Sequence, residues 1–118
     1  MILIKLARRF CVLNENQYSK VSAAFLDKIA EQCEELECFE DVELSDGVVT
    51  LKCKEEKTYI INKQSPNKQI WLSSPISGPK RYDFVNNGWV NATDGHKLID
   101  LLSKELSSIY KQEIKLQD

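Results

Sequence analysis

A chain of 118 residues, 42% apolar and 29% charged, is long enough to bury one hydrophobic core and forms one domain without staples. No apolar run approaches the roughly 18 residues that a membrane-spanning helix needs, and a net charge of −2 argues against a general affinity for nucleic acid. The cysteines at 11, 33, 38 and 53 form no C-x-x-C pair, and there is one histidine in the chain. A structural zinc site is therefore disfavoured; the cysteines read as reduced thiols, with Cys33 a small core residue.

Residues 1–14, MILIKLARRFCVLN, carry Lys5, Arg8 and Arg9 and no acid. Ile2, Leu3, Leu6, Phe10 and Leu13 fall near one helical stripe and the bases on another. That is the composition of a mitochondrial-type targeting segment, here short and without serines; the alternative is a first helical turn or N-terminal tail. The folded domain then occupies 15–118. From Gln17 to Leu36, apolar Tyr18, Val21, Phe25, Ile29, Cys33 and Leu36 recur at three- and four-residue steps, which predicts an amphipathic helix. Nine carboxylates lie between Asp27 and Asp46 against the single base Lys28. A cluster so dense points to a surface for cations or a basic partner; the plain alternative is a solvated helix face.

The middle of the chain reads as an antiparallel meander. Val42–Leu44, Val48–Cys53, Lys57–Lys63, a strand around Trp71, Arg81–Val85 and Trp89–Asn91 are the predicted strands, with Asp46-Gly47 and Asn86-Asn87-Gly88 as turns. Val49, Leu51 and Cys53 share one face, as do Tyr59 and Ile61. Ile70 and Leu72 point to the core, which leaves Gln69, Trp71 and Ser73 on the opposite, polar face. There Trp71 is either a binding anchor or covered by a loop or the C-terminal tail. Thr93 or Asp94 is placed to cap a second helix running to about Gln112, buried through Leu98, Leu102, Leu106 and Ile109, with Lys97, Asp100, Ser103, Lys104 and Ser107 in water. Two terminal helices on one face of a five- to six-stranded, mainly antiparallel sheet make a two-layer α+β sandwich with the other face open.

There is no G-x-G-x-x-G, Walker loop, H-E-x-x-H or nucleophile elbow, so no common catalytic constellation is present. His96 reads as a local structural residue. Residues 57–82 hold five bases, Lys57, Lys63, Lys68, Lys80 and Arg81, and no acid. A nucleic-acid-binding module is a remote alternative for that stretch, disfavoured by the overall acidity.

The stretch NKQSPNKQIWLSSPISGPKRYDF, followed by GWV and a DG-led helix, resembles the frataxin family in its eukaryotic, mitochondrial branch, over about Tyr18 to Leu116. The acidic first helix, the strand FEDVEL and the SDGVVTL hairpin fit the same pattern; a short N-terminal extension and a brief C-terminal tail depart from it. The resemblance implies an α-β sandwich in the mitochondrial matrix or a mitochondrion-derived reduced organelle. It implies an iron–sulfur cluster assembly factor that promotes sulfur transfer by the cysteine desulfurase–scaffold complex and acts as a monomer. Iron, Fe2+ or Fe3+, would be held weakly by carboxylates of Asp27, Glu31, Glu34, Glu35, Glu37, Glu40, Asp41 and Glu43. Asn62, Gln69, Trp71 and Arg81 would contact the assembly complex. An iron chaperone, ferroxidase or iron-storage role, with ferrochelatase or another iron acceptor as client, is the alternative that the resemblance also implies. Trp89 matches the family pattern, as core or as surface.

Overall fold

The computed structural model describes residues 13–118. The targeting reading of 1–14 thus lies outside the described residues except for its last two. Asn14 accepts a hydrogen bond from the Gln17 amide at 2.8 Å while the Gln17 side chain accepts from the Asn14 amide at 3.0 Å, a reciprocal capping box. It opens α1, Glu15–Leu36, which ends where Glu37 turns into the left-handed region. The periodic residues Tyr18, Phe25, Ile29 and Cys33 are buried, joined by Ser22, Leu26 and Ala30, while Val21 and Leu36 are only partly covered.

Six strands follow: β1 Asp41–Ser45, β2 Val48–Lys52, β3 Thr58–Gln64, β4 Gln69–Ser74, β5 Gly78–Val85 and β6 Gly88–Asn91. They pair in sequence order, every pair antiparallel. Two-residue turns join β1 to β2 through Asp46 and Gly47, and β5 to β6 through Asn86 and Asn87, all four at positive φ. Such mirror-image turns match the twist of the strands they join. Gly88, expected in the second turn, is instead the first residue of β6.

The second helix, α2, spans Leu98–Tyr110 and begins later than expected. Asp94 and Thr93 do not cap it; Lys97 stands at its N-cap with no side-chain bond. Their polar groups close a local turn instead: Asn91 Oδ1 accepts from the amides of Thr93 and Asp94, and Asp94 Oδ1 accepts from the His96 amide at 3.0 Å. Short polar side chains compete with helix initiation in this way.

Both helices cover one face of the sheet, over Val49, Leu51, Tyr59, Ile61, Ile70, Leu72 and Tyr82. Trp89 belongs to this core at 2% exposure, with ring centroids of Phe84, Phe25 and Tyr18 at 5.0, 6.1 and 6.3 Å. Residues 113–118 close the helical layer. Ile114 and Leu116 are buried, and Ser107 and Ser103, expected in water, bind the backbone amides of Ile114 and Leu116, each at 2.9 Å. Gln32 and Lys28 of α1 hold the carbonyls of Gln117 and Asp118. Glu105 of α2 is a buried carboxylate that accepts from Tyr59 at 2.7 Å and from Ser74 and Ser77 at 2.6 Å, tying α2 to the β4–β5 turn. Burial alone would raise its carboxyl; the Ser74, Ser77 and Tyr59 donors, with Lys80, bring it below the ordinary value.

Candidate functional site

Among the described residues, Lys52, Ile60, Ser73 and Arg81 of the sheet's outer face are exposed, and that face is open. Across β3, β4 and β5 the register aligns Asn62 with Trp71 and Trp71 with Arg81, so three of the four expected contact residues form one cross-strand row. Gln69, two residues before Trp71, lies on the same face. Trp71 is half-buried, and the Arg81 guanidinium sits 4.7 Å from its ring centroid. Its indole N–H donates to Gln69 Oε1 at 2.9 Å, and the Gln69 amide nitrogen donates to Asp83 Oδ1 at 3.0 Å. A cation on one face and a directed bond at the N–H fix the ring before any partner arrives, which lowers the ordering cost of binding.

Beside this row is a groove of about 780 Å³ whose walls include Trp71, Arg81, Asn62, Asp94 and His96. His96 is structural, as its position suggested. Asp94 is held in its charged form by hydrogen bonds from the His96 amide and ring. The His96 Nδ1 therefore donates to Asp94 Oδ1 at 2.6 Å, and Nε2 accepts from the Tyr82 hydroxyl at 2.8 Å. That hydroxyl keeps its proton, because burial, then Glu105 and Asp94, push its pKa far up. Asp83 escapes the sequence reading, in which His96 and Asp94 are local structural residues and not neighbours of Trp71. They reach the site through strand register and the β6–α2 turn, which leave no local signal.

The five bases of residues 57–82 do not form one basic surface. Strand alternation turns Lys63 and Lys80 from the face that carries Arg81. The Lys63 side chain lies over Gly47, and Lys80 donates to the Ser77 carbonyl at 2.8 Å. Lys57 pairs with Glu55 at 3.6 Å, and Lys68 donates to the Leu13 carbonyl at 2.9 Å. Trp71 is the one aromatic that the register puts on the outer face among the described residues.

The carboxylate ridge is real as a surface and loose as a site. Asp27, Glu31, Glu34, Glu35, Glu37, Glu40, Asp41 and Glu43 are all exposed. Among the described residues, no group of three or more His, Cys, Asp or Glu side chains is placed to hold a metal ion. The first four line α1, Glu37 is its C-cap, and Glu40 joins the helix to the sheet. Asp41 and Glu43 lie elsewhere than on a separate acidic surface. Ser45 pairs with Val48 and Val48 with Asn62, so Ser45, Glu43 and Asp41 share the open face with Trp71. Three strand spacings, about 14 Å, separate β1 from β4.

The described residues thus form a two-layer α+β sandwich with one sheet face left bare by the helices, a pre-ordered tryptophan on it and an acidic flank. The chain belongs to the frataxin family: residues 11–112 match the frataxin-like domain. It is 47% identical over 95 residues to the mitochondrial frataxin homolog of Saccharomyces cerevisiae, covering 76% of this chain and 55% of that protein. It is 42% identical over 107 residues to the mitochondrial frataxin of Caenorhabditis elegans, covering 83% and 78%. A solved yeast frataxin superposes with a TM-score of 0.73 at 42% identity, over 88% of this chain and 89% of that one. Trimeric Saccharomyces cerevisiae frataxin complexed with ferrous superposes at 0.72 with 45% identity, over 78% and 87%. The chain spans about half the length of several relatives it matches, 55% of the yeast protein and 49% of that from Dictyostelium discoideum. The relatives are named as mitochondrial proteins from yeast to plant, and this chain is of that mitochondrial branch. The family is linked to iron handling and iron–sulfur cluster assembly.

Proposed function

We infer that this chain is an iron–sulfur cluster assembly factor that docks through Asn62, Gln69, Trp71 and Arg81 onto the cysteine desulfurase–scaffold complex and promotes sulfur transfer. The observation that carries this reading is Trp71, half-exposed on the sheet face opposite the two helices and held in place by Gln69 and Arg81. A pre-ordered aromatic beside a guanidinium is the composition of an interface hot spot. The ridge adds long-range attraction for a basic partner surface.

Iron enters as cargo. Carboxylate oxygens suit Fe2+ and Fe3+, but with no three ligands converging among the described residues, one or two carboxylates and several waters would hold each ion. Binding is then weak and exchangeable, which suits delivery better than storage. The iron-chaperone or ferroxidase reading stays as the second, favoured by the ferrous complex of the yeast relative. The deciding experiment is a desulfurase–scaffold reconstitution with wild type, Trp71→Ala and Glu31/Glu34/Glu35→Gln. Loss of acceleration in the tryptophan variant, with its fold and iron binding intact, is expected. Full acceleration by that variant would overturn the docking reading.

A further inference from the structure

The groove beside Trp71 has a second wall that the docking row does not use. The Ala92 amide donates to the Arg81 carbonyl at 3.3 Å and Asn91 Nδ2 donates to the same oxygen at 3.4 Å, which lays the β6–α2 turn along the edge of β5. Asp94, on that turn, lines the groove and is exposed. An exposed acid ordinarily loses rotamer freedom when it binds; this one has lost it beforehand. Its Oδ1 accepts from the His96 amide at 3.0 Å and from His96 Nδ1 at 2.6 Å. Nε2 of the same ring accepts from the hydroxyl of Tyr82, a fully buried residue, at 2.8 Å, and the two rings meet edge-on at 5.4 Å. Buried Asn91 closes the turn from below: its amide donates to the His96 carbonyl at 2.7 Å, and its carbonyl accepts from the Gly95 amide at 3.0 Å.

These bonds fill one carboxylate oxygen and leave the other. Two donors occupy Oδ1; among the described residues, Oδ2 makes no hydrogen bond. The charge is uncompensated as well. His96 is the one ion-pair partner of Asp94 among the described residues, and with Nε2 accepting from Tyr82 its ring is neutral. Arg81 does not serve, since its guanidinium lies over Trp71 of β4, on the far side of β5 from the turn. The groove is therefore split, with an aromatic ring and a cation on one wall and a lone anion on the other. A carboxylate with both oxygens open takes an arginine as a two-pronged fork. One with a single open oxygen suits the point charge of an ammonium.

We propose that Asp94 is the specificity determinant of the groove, taking the ammonium of a lysine on an extended partner segment from which a second side chain packs on Trp71. The inference rests on the docking reading above and adds to it the chemistry of the segment that docks. Two strand spacings, about 10 Å, separate β4 from the line of β6. A segment crossing the strands advances roughly 7 Å in two residues. The lysine side chain covers the remainder, so the lysine falls two residues from the side chain on Trp71. The ridge carboxylates attract through their summed field, whereas Asp94 acts at contact with its geometry set in advance. It therefore selects one lysine, not a basic surface.

The test treats the full-length chain, bound to the cysteine desulfurase–scaffold complex, with a carbodiimide, which joins carboxylates to amines at zero length and does not couple arginine. Digestion and mass spectrometry locate the links. An isopeptide between Asp94 and one partner lysine is expected, and it is absent in Asp94→Asn. That variant keeps the Oδ1 acceptor and with it the turn, yet should bind roughly tenfold more weakly at low salt; Asp94→Lys should bind more weakly still. Exchanging the linked lysine for glutamate should restore binding to Asp94→Lys and not to Trp71→Ala. Weakened binding of Trp71→Ala with wild-type affinity in Asp94→Asn keeps the docking reading and overturns the lysine contact, as do links confined to the ridge carboxylates. Wild-type affinity in Trp71→Ala overturns the docking reading and the lysine contact with it.

Discussion

The open sheet face and the carboxylate ridge are built on opposite principles. On the sheet, a few side chains hold each other: Arg81 over Trp71, Trp71 to Gln69, Gln69 to Asp83. On the ridge, eight exposed carboxylates point into water and no three converge on a metal site. The first arrangement gives direction and the second gives only field. Geometry that is fixed before binding shows in affinity and dissociation; a diffuse field shows in association rate and salt dependence. Glu105 makes the same point with a single carboxylate, since enclosure by three hydroxyl donors turns it from a solvated charge into a structural tie.

The largest effect that separates the two regions should come from Trp71→Ala. Removing a central aromatic anchor costs about 3 kcal/mol of binding, roughly a 150-fold loss of affinity for the desulfurase–scaffold complex. Calorimetric titration checks it, and the loss should persist at high salt. Next is Glu105→Ala, expected to destabilise folding by about 2 kcal/mol because Tyr59, Ser74 and Ser77 lose their common acceptor. Urea denaturation measures it. The sign of the pH dependence follows from the lowered carboxyl: its contribution is present above the unfolded value of about 4.5 and disappears as pH falls through the lower folded value. Glu105→Gln should therefore flatten the acid limb of the stability profile and leave the neutral region less changed than the alanine.

Patterns confined to one element were legible in the sequence. The three- and four-residue steps of α1 gave the burial of Tyr18, Phe25, Ile29 and Cys33 but not of Val21 and Leu36, and alternation gave that of Val49, Leu51, Ile70 and Leu72, because one period decides which face is apolar. What failed or stayed open depends on partners distant in the chain. Trp89 sits in a strand of four residues, too short for alternation to mean much, and its place was decided by Tyr18, Phe25 and Phe84. Ser103 and Ser107 look like solvent residues until the tail returns to bind them. The start of α2 was misplaced because Thr93 and Asp94 serve a turn as readily as a helix cap. Asn62, Gln69, Trp71 and Arg81 were named from the family pattern, and the register brings them together on one face, whereas Asp83 and the basic residues needed the register before their neighbours could be known.

A smaller expected effect, and a finer test of the sheet face, is Arg81→Lys. The charge remains while the planar guanidinium over the indole is lost, so about 1 kcal/mol of binding should go. A loss equal to that of Arg81→Ala would mean that planarity, not charge, is what the partner uses. Surface plasmon resonance on the two variants distinguishes them.

The smallest equilibrium effect should come from Glu31/Glu34/Glu35→Gln. The last turn of α1 carries no base, so Glu34 and Glu35 face the negative end of the helix dipole without compensation. Neutralising them should raise thermal stability slightly at low salt and not at high salt. Association with a basic partner should slow a few-fold and lose much of its salt dependence, while dissociation stays as in wild type. Stopped-flow binding across ionic strengths reads both rates. A faster dissociation would mean that the ridge makes directed contacts in the complex. The contrast between a face that holds and a flank that attracts would then give way to one continuous interface, running from α1 across β1 to Trp71.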